Sequence, residues 1–394
     1  MIKTHLELRV QLKKKEELRI VAGHPWVFSN EIETITGSPG AGDIVEVLSA
    51  GGKTVGVGMF HPHSLIAVRL LSTRVEEIDR SFFQGRIEQA LALRTAVYPG
   101  SGVFRLINGE SDFLPGLVVD KFDTALVVQT FSYGMDRRLP MICEALEELF
   151  HPACIVERNE SPLRALESLP ERKGVLAGSP SELVLEDSGL RFFFHPLEGQ
   201  KTGYFLDQRE NRLLARRYGA GARVLDCFCN DGGFALNAAR GGAGSVLAID
   251  ASTEEISRAE RNAELNGDHV ITFEENDVFG RLKSLLTKDE LFDLVVLDPP
   301  SFTRNRKSVP AAKRGYRELH EGSMRLLRKG GILLTASCSH HIEPDTFMGV
   351  VQDAARRADR ILQLLDWRGA SPDHPVLPGV PETRYLKFGV FRVV

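Results

Sequence analysis

Val224-Leu-Asp-Cys-Phe-Cys-Asn-Asp-Gly-Gly-Phe234 is the stretch that decides the fold of the carboxyl-terminal part of this chain. It indicates a buried strand ending near Asp226, a turn with two glycines, and a helix that begins near Phe234. The strand-then-helix pattern recurs downstream, and the predicted strands are Val224–Phe228, Ser245–Ile249, Ile271–Phe273, Leu294–Leu297 and Ile332–Thr335. This alternation predicts an α/β fold with a doubly wound, Rossmann-like sheet that binds ligands at the carboxyl ends of its strands.

Two other regions precede this sheet. Residues 1–75 alternate polar and apolar side chains between glycines and prolines, which predicts a small β-barrel. From residue 76 a helical segment is followed by strands, a helix and a hairpin-like Ser181–His195, which predicts a central β-β-α-β-β domain of α+β type. We therefore expect three domains, 1–75, 76–195 and 196–394.

Composition narrows the class of protein. A formal net charge of -4 over 394 residues argues against a strongly basic coat for nucleic acid, although it leaves a local basic patch open. No run of 18 apolar residues predicts a membrane span, and Met1–Arg9 lacks the apolar core of a signal peptide. The five cysteines are few and odd in number, which suits a reducing compartment. We expect a cytoplasmic protein without a membrane partner.

The first three predicted strands end in residues suited to a nucleoside cofactor. Gly232 lets a ligand approach the backbone closely, and the acid Asp250 suits a ribose diol. Ser252-Thr-Glu-Glu255 has the pattern of a capping box that starts the next helix. Asp277 and Val278 offer a carboxylate and backbone groups to an adenine edge.

Two cofactors compete for this arrangement. A dinucleotide needs G-x-G-x-x-G at the turn, and that spacing is absent, while Asp231 would repel a phosphate. S-adenosylmethionine has a sulfonium cation and no phosphate, so it tolerates Asp226 and Asp231, and it is the predicted cofactor. Cys227 and Cys229 form a C-x-C pair without a second pair at zinc spacing, so we predict packing and no metal site.

A thiol and an acid follow the last two predicted strands. Cys338 comes after Ile332–Thr335, and Asp298 opens the rigid turn Asp298-Pro-Pro-Ser-Phe302. A thiolate adds to carbon 6 of cytosine and makes carbon 5 nucleophilic toward a sulfonium methyl group, with Asp298 assisting at ring nitrogen 3. Two alternatives stay open: Cys338 is an inert core thiol, or the acid-Pro-Pro turn serves an amino-group methyltransferase.

Trp26 and Phe28 lie in a stretch with basic residues near the amino terminus. Aromatic rings beside cations are suited to stacking on RNA bases, so both are candidate RNA contacts. Burial in the core of the small barrel is the competing interpretation.

These residues give the chain a resemblance to the RlmI-type 23S ribosomal RNA cytosine-carbon-5 methyltransferases. The motifs shared in order are Gly23–Phe28, Gly203–Arg209, Cys227–Phe234, Asp298–Phe302, Arg314–Tyr316, Ser337–Ser339, Asp373–Pro375 and Tyr385–Lys387. The resemblance implies a PUA domain, a central domain, a class I methyltransferase domain and a homodimer. It also implies Cys338 as the nucleophile and ribosomal RNA of the large subunit as the partner.

The resemblance also assigns further residues. Those implied at the cofactor are Lys201, Thr202, Phe205, Gln208, Arg209, Asp226, Phe228, Asn230, Gly232, Asp250, Ser252, Asp277, Val278, Asp298 and Pro299. Arg314 and Tyr316 are implied at the RNA. The chain departs from the family at Asn230-Asp231 and at His340-His341, which either face solvent or touch the substrate.

We therefore predict an S-adenosylmethionine-dependent methyltransferase acting at carbon 5 of a cytosine in large-subunit ribosomal RNA. Three alternatives remain: an amino-group methyltransferase, a non-catalytic RNA-binding protein and a nicotinamide oxidoreductase. The missing G-x-G-x-x-G spacing counts against the last of these.

Overall fold

The computed structural model describes residues 7–303 and 305–394, so most of the amino-terminal stretch assessed for a signal peptide lies outside the described residues. The chain divides into two compact units. The first unit takes in the chain up to Leu183, Phe194–Leu206 and Pro372–Thr383, and the second takes in Val184–Phe193, Asp207–Ser371 and Arg384–Val394. No helix in the described ranges is long and apolar enough to cross a membrane. The domain limits at residues 75 and 195 stay a prediction.

The first unit begins with a six-stranded sheet. Its strands are β1 (Arg9–Leu12), β2 (Trp26–Phe28), β3 (Ile32–Thr36), β4 (Ile44–Leu48), β5 (Thr54–Phe60) and β6 (Ile66–Ser72), with a short helix α1 (Glu17–Val21) after β1. The hydrogen-bonded order is β2-β6-β5-β4-β1-β3. Val10 and Leu12 are fully buried while Arg9 and Gln11 are half-buried, because alternate side chains of a strand point to opposite faces. The predicted β-rich amino-terminal domain is confirmed.

A five-stranded sheet follows in the same unit. The elements are α2 (Arg80–Val97), β7 (Val103–Asn108), β8 (Leu117–Phe122), β9 (Ala125–Thr130), α3 (Tyr133–Arg137), α4 (Leu139–Phe150), β10 (Cys154–Asn159) and β11 (Arg172–Gly178). The strand order is β11-β10-β9-β8-β7. The predicted hairpin forms β12 (Leu183–Asp187) and β13 (Leu190–Phe194), but these two strands make a separate sheet, so its assignment to the central sheet was wrong. β11 takes that place instead.

The second unit contains the doubly wound sheet. Its elements are α5 (Arg209–Tyr218), β14 (Arg223–Cys227), α6 (Gly233–Arg240), β15 (Ser245–Asp250), α7 (Thr253–Asn266), β16 (Ile271–Glu275), α8 (Val278–Thr287), β17 (Phe292–Leu297), α9 (Val309–Leu326), β18 (Leu327–Ser337), α10 (Pro344–Arg357), β19 (Leu362–Arg368) and β20 (Lys387–Val393). The order is β16-β15-β14-β17-β18-β20-β19, and β20 runs antiparallel to both neighbours. The predicted Rossmann-like fold is confirmed, although β19 and β20 were not predicted.

Both faces of this sheet are buried. Val295 and Leu297 pack into a core cluster that includes residues of α9 and α10, whereas Val296 packs into a cluster with residues of α5 and α6. Helices on both faces explain why the parallel strands are almost continuously apolar in sequence. The strands therefore end at polar residues only where they leave the core, at one edge of the sheet.

Candidate active site

Three predicted site residues lie at the carboxyl ends of neighbouring strands. Asp226 is the penultimate residue of β14, Asp298 directly follows β17, and Cys338 directly follows β18. Val296 and Leu334 belong to the core cluster on the α5 and α6 side of the sheet, and Cys338 packs against that same cluster. Because side chains alternate along a strand, Asp298 projects to the same side as Val296. The fold thus brings the thiol and both acids to one face.

Asp226 is a buried acid. It is fully buried, and no hydrogen bond to either carboxylate oxygen occurs within the described part of the chain, although the backbone N–H of Ala235 is near enough to lower its pKa slightly. Burial and, to a smaller extent, the neighbouring Asp298 raise the pKa of Asp226 to about 8. A buried carboxyl group without a partner is costly, so Asp226 is suited to meet a cationic ligand.

The turn after β14 has unusual backbone geometry. Phe228 and Asn230 adopt positive φ angles of 65° and 50°, and Gly232 one of 84°. Asp250 at the end of β15 fixes this turn, because one of its oxygens accepts the backbone N–H of Asn230 at 3.0 Å and the other that of Ser252 at 3.0 Å. Left-handed conformations at non-glycine residues cost energy and cluster at functional sites. The backbone is thereby shaped for close approach of a ligand.

Two other predicted cofactor residues begin helices. Asp277 caps α8 by accepting the Gly280 N–H at 2.7 Å. Ser252 caps α7 by accepting the Glu255 N–H at 3.3 Å, but its own N–H donates to Asp250. The predicted capping box is therefore wrong in its second half, since the Glu255 side chain accepts from Arg258 instead.

Val278 and Pro299, also predicted at the cofactor, are buried behind these polar groups. Val278 is the first residue of α8 and packs into the core cluster with α9, and Pro299 follows Asp298 in the turn after β17.

Arg212 was not predicted and lies against the cofactor turn. It is 4 % exposed on α5, and a Cβ added at Gly233 would stand 2.5 Å from its Nε. Burial raises the pKa of Asp231, while the charges of Arg212 and Arg258 lower it. Arg212 thus balances part of the negative charge that Asp226 and Asp231 bring to the turn.

The turn that carries Cys338 is tied to the turn that carries Asp298. Ser339 Oγ accepts the backbone N–H of Phe302 at 3.2 Å and lies 3.2 Å from Ser301 Oγ. Asp298 and Cys338 are both half-buried, so each retains exposed surface. These contacts hold the two predicted catalytic residues on adjoining segments.

Tyr316 contacts the two serines that flank Cys338. Its hydroxyl lies 2.9 Å from Ser337 Oγ and 3.0 Å from Ser339 Oγ, one on each side of the cysteine. Burial raises the pKa of Tyr316 to about 12, so the hydroxyl keeps its proton. Tyr316 was assigned to RNA contact, yet it is fully buried, and the structure gives its ring no exposed face for a base.

The residues predicted ahead of α5 fall into both units. Gln208 and Arg209 belong to the second unit and are buried; Gln208 accepts from Asn211 at 2.7 Å, and Arg209 Nε donates to Asp187 at 2.7 Å. Lys201, Thr202 and Phe205 belong to the first unit, where Lys201 Nζ lies 4.7 Å from the centre of the Phe205 ring and Thr202 is buried.

The candidate RNA-contacting aromatics lie on β2. Trp26 and Phe28 are both half-buried, and the guanidinium groups of Arg69 and Arg19 lie 5.8 and 4.7 Å from their respective ring centres. Trp26 Nε1 also donates to Glu110 at 3.0 Å. Each ring thus combines a packed side, a cation and a remaining accessible surface.

The other surface candidates lie in the second unit. Arg314 is exposed on α9. His340 and His341 are exposed as well, and the His340 ring lies 5.8 Å from that of Tyr385. Cys227 and Cys229 are free and buried, in agreement with the packing role predicted for them.

The site fits S-adenosylmethionine. The orphaned carboxylate of Asp226 suits the positive charges of this cofactor, Asp250 suits its ribose, and the turn lacks the glycine spacing that a pyrophosphate needs. Fold and site together define a class I methyltransferase that uses S-adenosylmethionine.

Comparisons with known proteins agree with this class. Residues 114–392 match the family of S-adenosylmethionine-dependent methyltransferases, and residues 10–73 match a PUA-like domain. "Ribosomal RNA large subunit methyltransferase I" of Shewanella amazonensis is 39% identical over 98% of this chain and 100% of its own length, and that of Tolumonas auensis is 37% identical over 98% and 99%. The chain therefore belongs to the ribosomal RNA large subunit methyltransferase I family.

Solved structures show the same fold over the full chain. A candidate S-adenosylmethionine-dependent methyltransferase from Streptococcus mutans aligns with a TM-score of 0.83 at 17% identity, covering 98% of this chain and 100% of that one. A candidate methyltransferase solved in complex with SAH also aligns at 0.83, with 18% identity and coverage of 99% and 100%. The family match over residues 114–392 confirms the predicted cofactor, S-adenosylmethionine.

Proposed function

We propose that this protein methylates carbon 5 of a cytosine in large-subunit ribosomal RNA, with Cys338 as covalent nucleophile. The observation that carries the proposal is the half-exposed Cys338 thiol, which lies on the same face of the sheet as Asp298 in a turn bonded to the Asp298–Phe302 segment. The substrate is supported by the relatives, whose name specifies large-subunit ribosomal RNA.

The residues divide the chemistry between them. The Cys338 thiolate forms a bond to carbon 6, while Asp298 gives a proton to ring nitrogen 3, so the ring gains electron density at carbon 5 without gaining charge. Bound S-adenosylmethionine supplies the methyl group. Asp298 regains the nitrogen 3 proton as carbon 5 is methylated. Water then takes the carbon 5 proton, the carbon–hydrogen pair restores the double bond between carbons 5 and 6, and the carbon–sulfur pair returns to sulfur and releases Cys338 as thiolate.

Trapping tests the covalent step directly. RNA containing 5-fluorocytosine at the target has no carbon 5 proton to lose, so we expect a stable protein–RNA adduct with the wild-type protein and cofactor, detected by denaturing electrophoresis and mass spectrometry. Cys338→Ala should form no adduct and lose methyl transfer, yet bind the cofactor as before. Cys143→Ala, a half-buried cysteine of α4, is the control and should retain both adduct and activity.

The product identifies the class of reaction. Ribosomal RNA from a deletion strain should lack one 5-methylcytosine, restored by the wild-type gene and not by Cys338→Ala or Asp298→Asn. Full activity of Cys338→Ala with an exocyclic methyl on the product would contradict the proposal in favour of an amino-group methyltransferase.

The proposal also covers the RNA contacts, the domain limits, the cellular location and the oligomeric state. Trp26, Phe28 and Arg314 are proposed RNA contacts, and the three domains are proposed as 1–75, 76–195 and 196–394. Free cysteines support a cytoplasmic location, and the family resemblance supports a homodimer. Light scattering of the purified protein tests the dimer: a mass of one chain would contradict it.

A further inference from the structure

Lys387 is a buried cation beside the Cys338 turn. It is 3 % exposed, and it opens β20 directly opposite Ser337 in the antiparallel pairing with β18. Its Nζ donates to the carbonyl oxygens of Ser339 and Tyr385, each at 2.8 Å. The lysine therefore reaches across the end of β18 and binds the carbonyl of Ser339, the residue that follows Cys338.

The charge of Lys387 is not balanced by these contacts. Two neutral carbonyls solvate an ammonium group only in part, and a buried charge is stable only when it is also paired. The acidic groups whose charge raises the pKa of Lys387 are Cys338 and Glu343, and Glu343 is exposed. Burial is the largest influence and lowers the pKa of Lys387 to about 8, so the group is still mostly protonated at neutral pH.

We propose that Lys387 is a positioning residue for Cys338, which fixes the turn after β18 and stabilises the cysteine as a thiolate. This inference rests on the proposed role of Cys338 as nucleophile. The thiol gives its proton to solvent, and the ammonium group balances the charge left on sulfur. The same charge balance assists twice, because Cys338 attacks as a thiolate and leaves carbon 6 as a thiolate.

Alkylation of Cys338 by iodoacetamide tests the inference without RNA or methyl transfer. The rate at Cys338 in the full-length protein is followed against pH by mass spectrometry of the modified peptide. We expect Lys387→Met to raise the midpoint by about one pH unit and to slow alkylation near pH 7 about tenfold. Lys387→Arg, which keeps the charge, should recover much of the wild-type profile. Lys283→Met, at an exposed lysine of α8, should leave it unchanged.

Two results would overturn the inference. One is a Lys387→Met profile that coincides with the wild-type profile, because the charge of Lys387 would then have no effect on the ionisation of Cys338. The other applies even if that variant fails to fold: a wild-type Cys338 midpoint at or above the ordinary thiol value of about 8.5. Retained methylation by Cys338→Ala would instead contradict the proposed function and leave the alkylation result standing.

Discussion

Asp226 shows how a single residue exchanges stability for ligand binding. Its buried carboxyl group is unpartnered, and its pKa is raised from 3.8 to about 8. We expect Asp226→Asn to weaken binding of S-adenosylmethionine at least about tenfold, because a charged hydrogen-bonding partner of the ligand is lost. Titration calorimetry at pH 8 measures the affinity.

The same substitution has the opposite effect on folding. Below pH 3.8 both folded and unfolded chains keep the Asp226 proton; between 3.8 and about 8 the unfolded chain releases it while the folded chain retains it. The unfolded state therefore gains stability as pH rises through that window. We expect Asp226→Asn without cofactor to be increasingly more stable than wild type from pH 5 to pH 8, measured by thermal unfolding.

A matched control is Asp289→Asn, at an exposed carboxylate in the turn after α8. It should change neither the cofactor affinity nor the pH dependence of unfolding. If Asp226→Asn matched this control in both measurements, Asp226 would have no part in binding the cofactor.

At the scale of elements, Tyr316 joins α9 to the end of β18. Its hydroxyl meets Ser337 Oγ and Ser339 Oγ at 2.9 and 3.0 Å. We expect Tyr316→Phe to lower stability by about 1–2 kcal/mol and to lower kcat about tenfold, since small displacements of a reacting group are costly. Urea unfolding and steady-state kinetics measure the two effects, and Tyr218→Phe, a half-buried tyrosine at the end of α5, is the control. An unchanged kcat would show that the hydrogen bonds of the Tyr316 hydroxyl are not needed to position the Cys338 turn.

The start of α8 gives a prediction that separates capping from recognition. Asp277 caps the helix and was predicted to contact adenine. Asp277→Ala should lose about 1 kcal/mol of stability, whereas Asp277→Ser retains a capping oxygen and should lose little. Both should bind the cofactor more weakly, as measured by calorimetry. Wild-type affinity in the Ser variant would leave Asp277 with the capping role alone.

Elements buried on both sides were predictable and peripheral ones were not. β14 and β17 were found because apolar runs bounded by turn residues indicate buried strands. β19 was missed because its burial is irregular, with Leu364 and Leu365 50% and 46% exposed. β20 is an exception, because it is almost fully buried and its sequence from Phe388 to Val393 is mostly apolar, yet it was not predicted. Its antiparallel position beside β18 depends on pairing between segments that are distant in sequence. The hairpin was predicted because its two strands are adjacent in sequence. Its membership of a sheet depends on pairing between distant segments, and that part of the prediction was wrong.

The same distinction applies to the site. Asp226, Asp298 and Cys338 were identified because each lies at the end of a strand or directly after it. Arg212 and Lys387 act on this site through contacts between residues distant in sequence, and a lone basic residue in a helix or strand gives no sign of its partner. The turn-supporting position of Tyr316 was missed for a related reason, since its hydroxyl meets Ser337 and Ser339, which are distant in sequence, and the resemblance implied an RNA contact instead.

At the scale of the whole molecule, one buried carboxylate connects the two sheets of the first unit. Glu167 is 3 % exposed; it accepts from Arg69 of β6 at 2.7 Å and from the backbone N–H of Tyr133, which begins α3, at 2.6 Å. A buried ion pair adds little to stability as a pair, yet removing one partner is costly because the other charge is left buried. We therefore expect Glu167 to contribute to coupling between the folding of the amino-terminal sheet and that of the central sheet.

Urea unfolding followed by tryptophan fluorescence tests this dependence. The chain has 2 tryptophans, Trp26 in β2 and Trp367 in β19, so a Trp367→Phe background reports on the amino-terminal sheet alone. In it, Glu167→Ala should shift the transition by about 3–5 kcal/mol, because the largely buried Arg69 loses its close partner and keeps only Glu110 at 3.9 Å. Arg80→Ala breaks an ion pair with Glu148 whose side chains are 47% and 48% exposed, and should cost no more than about 1 kcal/mol. Equal shifts in the two variants would mean that Glu167 does not couple the sheets.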